Sequence, residues 1–217
     1  MPLTRKAGVM VRTDRDFSAT IAEAVRNAER GTCAEIVVVV ASRSGSYLDI
    51  ALIGGAFFAC VALAGALFLP QTFHPAWVMV EIPLVLGVAA WLMNRTPAVL
   101  GPLIPAPRAK TQVERAAAAH FVSEAVHGVK GRTGLLVYVS RLEGRVALIA
   151  DLGLAASVHQ PIWSTVRFGS GREAHAIKTT QDLVRGIAAI GDLLRERAPG
   201  DKKDETNEMP DAPRFVS

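Results

Sequence analysis

Segments whose apolar residues recur every three or four positions alternate along this chain with segments that are continuously apolar. Residues 18–30 and 111–129 show the first pattern, which predicts two amphipathic helices. Residues 35–41 and 134–140 are short runs rich in branched apolar side chains. Such runs predict strands that are buried on both faces, as the strands of a parallel sheet are.

The second half of the chain continues the same alternation. Residues 145–151 predict a third strand, which pairs with the second as a hairpin across the turn at residues 142–144. A short helix is predicted over residues 160–166, and the last helix begins with the capping-box pair Thr179 and Asp182. A helical crossover joins the first two strands, which predicts a parallel pair and an α/β fold.

One apolar stretch is far longer than any strand or core helix requires. Residues 50–69 are twenty apolar residues without a charge, which as a helix span about 30 Å, the thickness of the bilayer hydrocarbon. A buried helix of a soluble protein rarely reaches this length without a polar residue. Residues 76–93 form a second, weaker span with Trp77 and Trp91 near its ends, where indole rings favour the membrane interfaces. A six-residue linker joins the spans, so residues 50–93 predict a transmembrane hairpin.

The distribution of basic residues predicts the orientation of this hairpin. Arg30 and Arg43 precede it, and Arg95, Arg108 and Lys110 follow it, whereas the linker has no Lys or Arg. Cationic flanks stay on the cytoplasmic side. We therefore predict a two-pass protein of the plasma (inner) membrane, in contact with membrane lipid, with both termini cytoplasmic.

A hairpin returns the chain to the side that it left, so its two flanks can fold together. Residues 1–49 and 108–198 are predicted to form one split α/β domain. Residues 94–107 hold four prolines and predict a stiff, non-helical connector. Residues 199–217 are polar and rich in proline, which predicts a disordered tail.

Charge and cysteine content add little to this picture. The net charge is +4, but much of the basic excess flanks the hairpin, and no helix shows a stripe of Lys and Arg with interleaved aromatics. No nucleic-acid partner is therefore predicted. Cys33 precedes a strand and Cys60 lies in the apolar run, so no disulfide is expected.

The hairpin contains one ionisable residue, Glu81, roughly one helical turn from the centre of the second span. A charge there costs about 3 kcal/mol or more. Glu81 is thus an ion or proton site, a polar contact with a partner helix, a residue near the outer interface, or a carboxyl group that stays protonated. In the first span Ala51, Gly55 and Ala59 form a ladder of small residues, which fits the hairpin seam better than a dimer face.

Chemistry in the soluble part is limited to scattered carboxylates. Asp151 ends the third strand and precedes Gly153, a position that suits either a site or an ordinary turn. Its oxygen donors fit calcium or magnesium. The five histidines are scattered, and no nucleophile elbow, phosphate-binding loop or Cys-x2-Cys pair occurs. No catalytic residue is predicted.

Four stretches resemble the TPM-domain proteins, in the branch whose domain is interrupted by a membrane hairpin. They are residues 28–47, residues 115–153, the pair Ile162 and Trp163, and residues 204–211. The strongest is GRTGLLVYVSRLEGRVALIADLG, in which a glycine-led strand, a charged turn and a second strand ending in Asp-x-Gly follow one another.

The resemblance implies an α/β/α sandwich with a small central sheet. Relatives include a thylakoid protein described as an acid phosphatase and an auxiliary subunit of an ion channel, and some bind calcium through acidic loop residues. Glu143 and Asp151 are the only candidates for such ligands here.

Three functions follow from these observations. The favoured one is a non-enzymatic interaction or accessory module of a membrane complex, with a membrane or peripheral protein as partner. The alternatives are a membrane-bound acid phosphatase-like enzyme with an acidic metal site, and a small transport accessory that uses Glu81.

Overall fold

The computed structural model of the chain describes residues 15–68, 74–169, 174–200 and 209–216. The chain divides into two compact units: residues 45–109 form one, and the flanks up to residue 44 and from residue 110 form the other. The helices and strands follow in chain order: α1 Arg15–Glu29, β1 Glu35–Ala41, α2 Leu48–Phe68, α3 Pro75–Arg95, α4 Pro97–Leu100, α5 Ala106–Ser123, β2 Gly134–Ser140, β3 Arg145–Ala150, α6 Leu152–Ser157, α7 Gln160–Trp163, α8 Thr180–Arg197 and β4 Arg214–Val216.

The flanking unit is a mixed α/β fold around a four-stranded sheet of order β3-β2-β1-β4. β1 and β2 are parallel, with Val38 opposite Val137, so the predicted crossover is confirmed. β2 and β3 are antiparallel, with Val137 opposite Leu148, which confirms the predicted hairpin. The bounds of the first two strands are those that the branched apolar runs predict.

Both faces of the sheet are covered. Successive side chains of a strand point to opposite faces, and in β1 both sets are largely apolar. Ile36, Val38 and Val40 pack into a core with α1 and α8, whereas Val37 and Val39 pack with α5 on the other face. Every residue of β1 and of β2 is buried. The predicted α/β/α layering is therefore confirmed.

The capping box predicted for the last helix is present. The Thr179 hydroxyl accepts a hydrogen bond from the Asp182 N–H at 3.2 Å, and the Asp182 carboxylate accepts from the N–H groups of Lys178 and Thr179, each at 3.0 Å. Burial alone would raise the pKa of Asp182, but these hydrogen bonds outweigh it and hold the pKa below its usual range.

The predicted non-helical connector at residues 94–107 is wrong. The chain continues as α3 to Arg95, forms α4, makes a 3₁₀ turn at residues 101–103 and enters α5 at Ala106. Pro97 and Pro102 lie in the first turns of these short helices, where the missing N–H has no intrahelical partner to lose. The prolines thus begin helical turns instead of preventing them.

The helix predicted over residues 111–129 is displaced. α5 ends at Ser123, and Ala125 adopts a left-handed backbone with φ of 55°. A short 3₁₀ turn at residues 126–128 follows. Val126 lies in this turn and is also buried. The apolar pattern therefore extends past the end of the helix and does not mark it.

The predicted disorder of the C-terminal segment is also wrong for its last residues. Residues 201–208 and 217 lie outside the described part, but Arg214–Val216 form β4, parallel to β1. Nη1 of Arg214 donates to the Glu124 carboxylate and, at 3.2 Å, to its carbonyl. The rings of Phe215 and Phe17 lie 6.1 Å apart. A three-residue strand is too short to show an alternating pattern.

This attachment predicts the effect of removing the Arg214 guanidinium. Arg214→Met leaves the Glu124 carboxylate, which is only 20% exposed, without its partner. We expect the free energy of unfolding to fall by about 1–2 kcal/mol. We also expect faster hydrogen exchange at the Ser42 amide, which donates to the Val216 carbonyl.

Arg26→Met is the matched control. The Arg26 guanidinium is 52% exposed and lies 3.7 Å from the Asp211 carboxylate, beyond hydrogen-bonding distance, so its loss should cost less than about 0.5 kcal/mol. Equal effects of the two substitutions would contradict an anchoring role for Arg214.

Residues 45–109 form a helical hairpin in which α2 and α3 pack closely. The buried residues of α2 are Ala51, Gly55 and Ala59. A Cβ on Gly55 would lie 2.6 Å from the Leu86 carbonyl oxygen and 3.0 Å from the Ala90 Cβ. Only small residues allow the two backbones to come so close, and the ladder is therefore the hairpin seam.

An ion pair joins the two ends of this unit beside the first turn of α2. The two Nη atoms of Arg108 contact the Asp49 carboxylate at 2.5 and 3.0 Å. The same guanidinium lies 5.3 Å from the centre of the buried Tyr47 ring. Arg95 likewise lies 5.3 Å from the centre of the Trp91 ring. Two basic side chains of this unit therefore pack on aromatic rings.

Candidate functional site

The outer surface of the hairpin is apolar. α2 and α3 are both long and apolar enough to cross a membrane, and only 17% and 11% of their most apolar windows are buried. Large exposed side chains cover both helices: Ile53, Phe57, Phe58, Val61, Leu67, Trp77, Val80, Leu84, Val88 and Trp91. A contiguous apolar surface of this kind needs a lipid or protein environment.

Glu81 lies on this outer surface and not in the seam. It is exposed, and it is nine residues from Ala90, which contacts α2. Nine residues at 100° each place the two side chains on opposite sides of α3. Among the described residues, no side chain or backbone group bonds to the Glu81 carboxylate.

Asp151, the candidate metal ligand, caps a helix. Its Oδ1 accepts a hydrogen bond from the Leu152 N–H at 2.7 Å, at the start of α6. Its Oδ2 lies 3.5 Å from Nε of Arg132, and the side chain is 4% exposed. The glycine of the Asp-x-Gly motif also has a structural role, since a Cβ on Gly153 would lie 2.2 Å from the Gly131 carbonyl oxygen.

The two candidate carboxylates are not brought together. Glu143 precedes β3 and Asp151 follows it, and a strand of six residues separates its ends by about 20 Å. β3 is antiparallel to β2, so its last residue, Ala150, pairs with Leu135 near the start of β2, at the amino edge of the parallel strands. Binding sites are expected at the carboxyl ends of parallel strands, which form the opposite edge of the sheet. In the described ranges, no group of three or more His, Cys, Asp or Glu side chains could hold a metal ion.

Glu143 instead organises the carboxyl edge of β1 and β2. Its carboxylate accepts hydrogen bonds from the Ser44 N–H at 3.0 Å and from the Ser140 hydroxyl. The hydroxyls of Ser44 and Tyr138 lie 3.1 Å apart, and the His120 ring stacks on Tyr138 with centroids 5.4 Å apart. Sequence reasoning missed this cluster, because its members come from three separate segments and carry no motif.

Two of the hydroxyl groups in this cluster are buried within the fold. Ser140 and Tyr138 are buried, at 0% and 1% exposure, so neither hydroxyl is accessible to a substrate. Both oxygens of the Glu143 carboxylate are engaged by donors. The cluster thus fixes the turn after β2 against the segment that leaves β1.

Tyr138 gives this cluster a measurable pH dependence. Burial raises the pKa of its phenol, and the nearby Glu143 carboxylate raises it further, although the Ser44 hydrogen bond lowers it. Above about pH 10 an unfolded tyrosine ionises whereas the folded one stays neutral. The stabilisation is therefore complete below about pH 10 and is lost as the pH rises through the folded pKa.

We expect Tyr138→Phe to cost about 1 kcal/mol at neutral pH, through the lost hydrogen bond. Between about pH 9 and 11 the variant should lose less stability than the unsubstituted protein. Unfolding curves at several pH values measure both effects. The other tyrosine, Tyr47, is present in both proteins, so its titration cancels. Identical pH slopes would contradict the raised pKa.

The histidines have separate structural partners. The His74 side chain caps α3, accepting from the Ala76 N–H at 3.4 Å. His127 lies 6.4 Å from the Phe121 ring, and Nε2 of His175 lies 3.0 Å from the Trp163 carbonyl oxygen. None of these contacts brings two imidazoles together.

Comparisons with known proteins give a fold and no function. No family model matches the chain, and no curated protein matches it significantly. The chain is similar to the NMR structure of the BA42 protein from the psychrophilic bacterium Bizionia argentinensis, with a TM-score of 0.54 and 18% sequence identity over 94% of each chain. At this identity the likeness concerns the fold alone. The resemblance to TPM-domain proteins stays a prediction.

Proposed function

We propose that this chain is a two-pass membrane protein whose α/β domain is a non-enzymatic interaction or accessory module of a membrane complex. The observation that carries the proposal is the hairpin at residues 45–109, which places small residues inward and large apolar residues outward. A soluble hairpin would bury its large side chains, whereas a lipid-embedded one exposes them.

The position of the hairpin in the sequence supports a tethered module. It is inserted between β1 and β2, which are neighbours in one sheet. Both connections from the hairpin therefore lead into the same domain, on the same side of the membrane. The basic residues of the flanks favour the cytoplasmic side.

An interaction role is the function that the described surfaces support best. The Glu143 carboxylate accepts two hydrogen bonds, whereas Asp151 accepts one at Oδ1 and its buried Oδ2 lies 3.5 Å from Nε of Arg132. An acid phosphatase-like activity, calcium binding and an ion or proton site at Glu81 therefore stay predictions. The partner that we propose is a membrane or peripheral protein.

Extraction and reporter fusions test the membrane part of the proposal. The protein should stay in the membrane pellet at alkaline pH, and a reporter fused at Gln71, which lies outside the described residues, should read as external. Reporters at both termini should read as cytoplasmic. Release into the soluble fraction, or a C-terminus on the outer side, would overturn the proposal.

Isolation of the complex tests the interaction part. The protein purified in mild detergent should migrate with at least one other protein and dissociate from it when the α/β domain is destabilised. A homogeneous monomer under conditions that preserve other membrane complexes would contradict an interaction module.

A further inference from the structure

We propose that the outer face of α3 packs against a transmembrane helix of a different protein, and that this helix carries a Lys or Arg that pairs with Glu81. The inference rests on the proposed membrane location. It specifies which surface of the hairpin meets the partner and which chemistry the partner supplies.

The outer face has the spacing of a helix-packing seam. It consists of Trp77, Glu81, Leu84, Val88 and Trp91, separated by four, three, four and three residues. This is the spacing of the two seam positions of a heptad repeat, which keeps successive side chains facing one neighbouring helix. Each of the five is exposed on the hairpin itself.

The hairpin does not use this face. Its seam is formed by Leu86 and Ala90, which contact Gly55, and by Met93, which contacts Gly54. Ala90 lies half a turn of the helix away from Glu81. α3 therefore has two packing faces, and α2 covers one of them.

Glu81 determines the chemistry of the partner. It is the only Asp, Glu, Lys or Arg among residues 50–93, and a carboxylate in hydrocarbon requires an opposite charge or a hydrogen-bond donor. A second copy of this chain would bring a second carboxylate and no Lys or Arg to the same depth. A cationic residue on another protein supplies the opposite charge, and a single polar residue in an apolar seam also fixes register.

Photo-crosslinking in native membranes tests the inference on the full-length protein. A photoreactive residue at Leu84 should crosslink to another membrane protein. The crosslinked peptide, identified by mass spectrometry, should belong to a transmembrane segment that carries a Lys or Arg. A photoreactive residue at Phe57, on the outer surface of α2, provides the comparison and should give less of this product.

Charge variants provide the decisive comparison. Glu81→Lys should lower the yield of the Leu84 crosslink about tenfold or more, because like charges then oppose each other in the seam. Met79→Gln is the matched control. Met79 is 79% exposed and only two residues from Glu81, but it lies about 200° around the helix from it, and its substitution should leave the yield unchanged. Replacing the partner's cationic residue by Glu should restore the crosslink of Glu81→Lys.

Several results would overturn the inference. They are a crosslink to a second copy of this chain, a crosslinked segment without Lys or Arg, labelling of lipid alone, and an unchanged yield in Glu81→Lys. Alkaline extraction of the same membranes separates the two proposals. A protein released by alkali contradicts both, whereas a protein that stays in the pellet but gives one of these results contradicts only the pairing at Glu81.

Discussion

Replacing residues 45–105 by a flexible Gly/Ser linker is expected to convert this protein into a soluble α/β domain that unfolds in one cooperative transition. Residues 45–109 form a compact unit separate from the flanks, and the deletion keeps α5 whole from Ala106. The four strands and both cores belong to the flanks. About ten linker residues have an average span of about 17 Å.

Ultracentrifugation without detergent and urea unfolding measure the result. The variant should stay in the supernatant. The signals that report its secondary structure and its tertiary structure should change at the same urea concentration. The same deletion carrying Val38→Asp is a control that should fail to fold, because Val38 is 2% exposed in the centre of the sheet. An insoluble product, or one with helices but without fixed packing, would show that the hairpin is needed for folding.

Gly191→Val is expected to cause a large loss of stability within the α/β domain. A Cβ on Gly191 would lie 2.7 Å from the Ala28 Cα and 2.9 Å from the Ala28 Cβ, so α1 and α8 meet with almost no space between their backbones. The two helices would have to separate and loosen the packing of Val25 and Ile187, both fully buried. We expect the free energy of unfolding to fall by about 3 kcal/mol.

Pulse proteolysis in urea measures this change on the full-length protein in detergent. Ala188→Val, on the exposed side of the same helix, is the control, and it should cost less than about 1 kcal/mol through helix propensity alone. Equal losses for the two variants would mean that close approach of α1 and α8 does not set the stability.

The elements that sequence reasoning predicted well are those whose pattern arises from their own residues. β1 and β2 have the predicted bounds, because strands buried on both faces are continuously apolar and are bounded by polar residues or glycine. The small-residue seam at Gly55 was predictable for a similar reason, since only backbone contact requires such a ladder.

The elements that sequence reasoning missed depend on residues that are distant in the sequence. β4 exists because Arg214 reaches Glu124, ninety positions away, and because β1 offers a free edge. The cluster around Glu143 likewise joins Ser44 and Tyr138, which are 94 positions apart. A single sequence does not show such pairings.

The role of Asp151 shows how topology changes the meaning of a position. A carboxylate after a strand suggests a site only when that strand runs with its parallel neighbours. β3 runs against them, so Asp151 lies at the amino edge, where it caps α6. The direction of the third strand was predicted, but its consequence for Asp151 follows only when the edges of the sheet are compared.

The pairing of β4 with β1 has a consequence for biosynthesis. Val40 and Phe215 are opposite each other in the sheet, so β1 leaves the ribosome long before its second neighbour has been translated. At 5–20 residues per second the interval is roughly 10–35 s. During that time the hairpin has already been translated, and the edge of β1 that pairs with β4 has no partner strand, which favours aggregation. The sheet can therefore be completed only after residues 214–216 have been translated, and the nascent chain is expected to depend on chaperones that shield residues 35–41 until then.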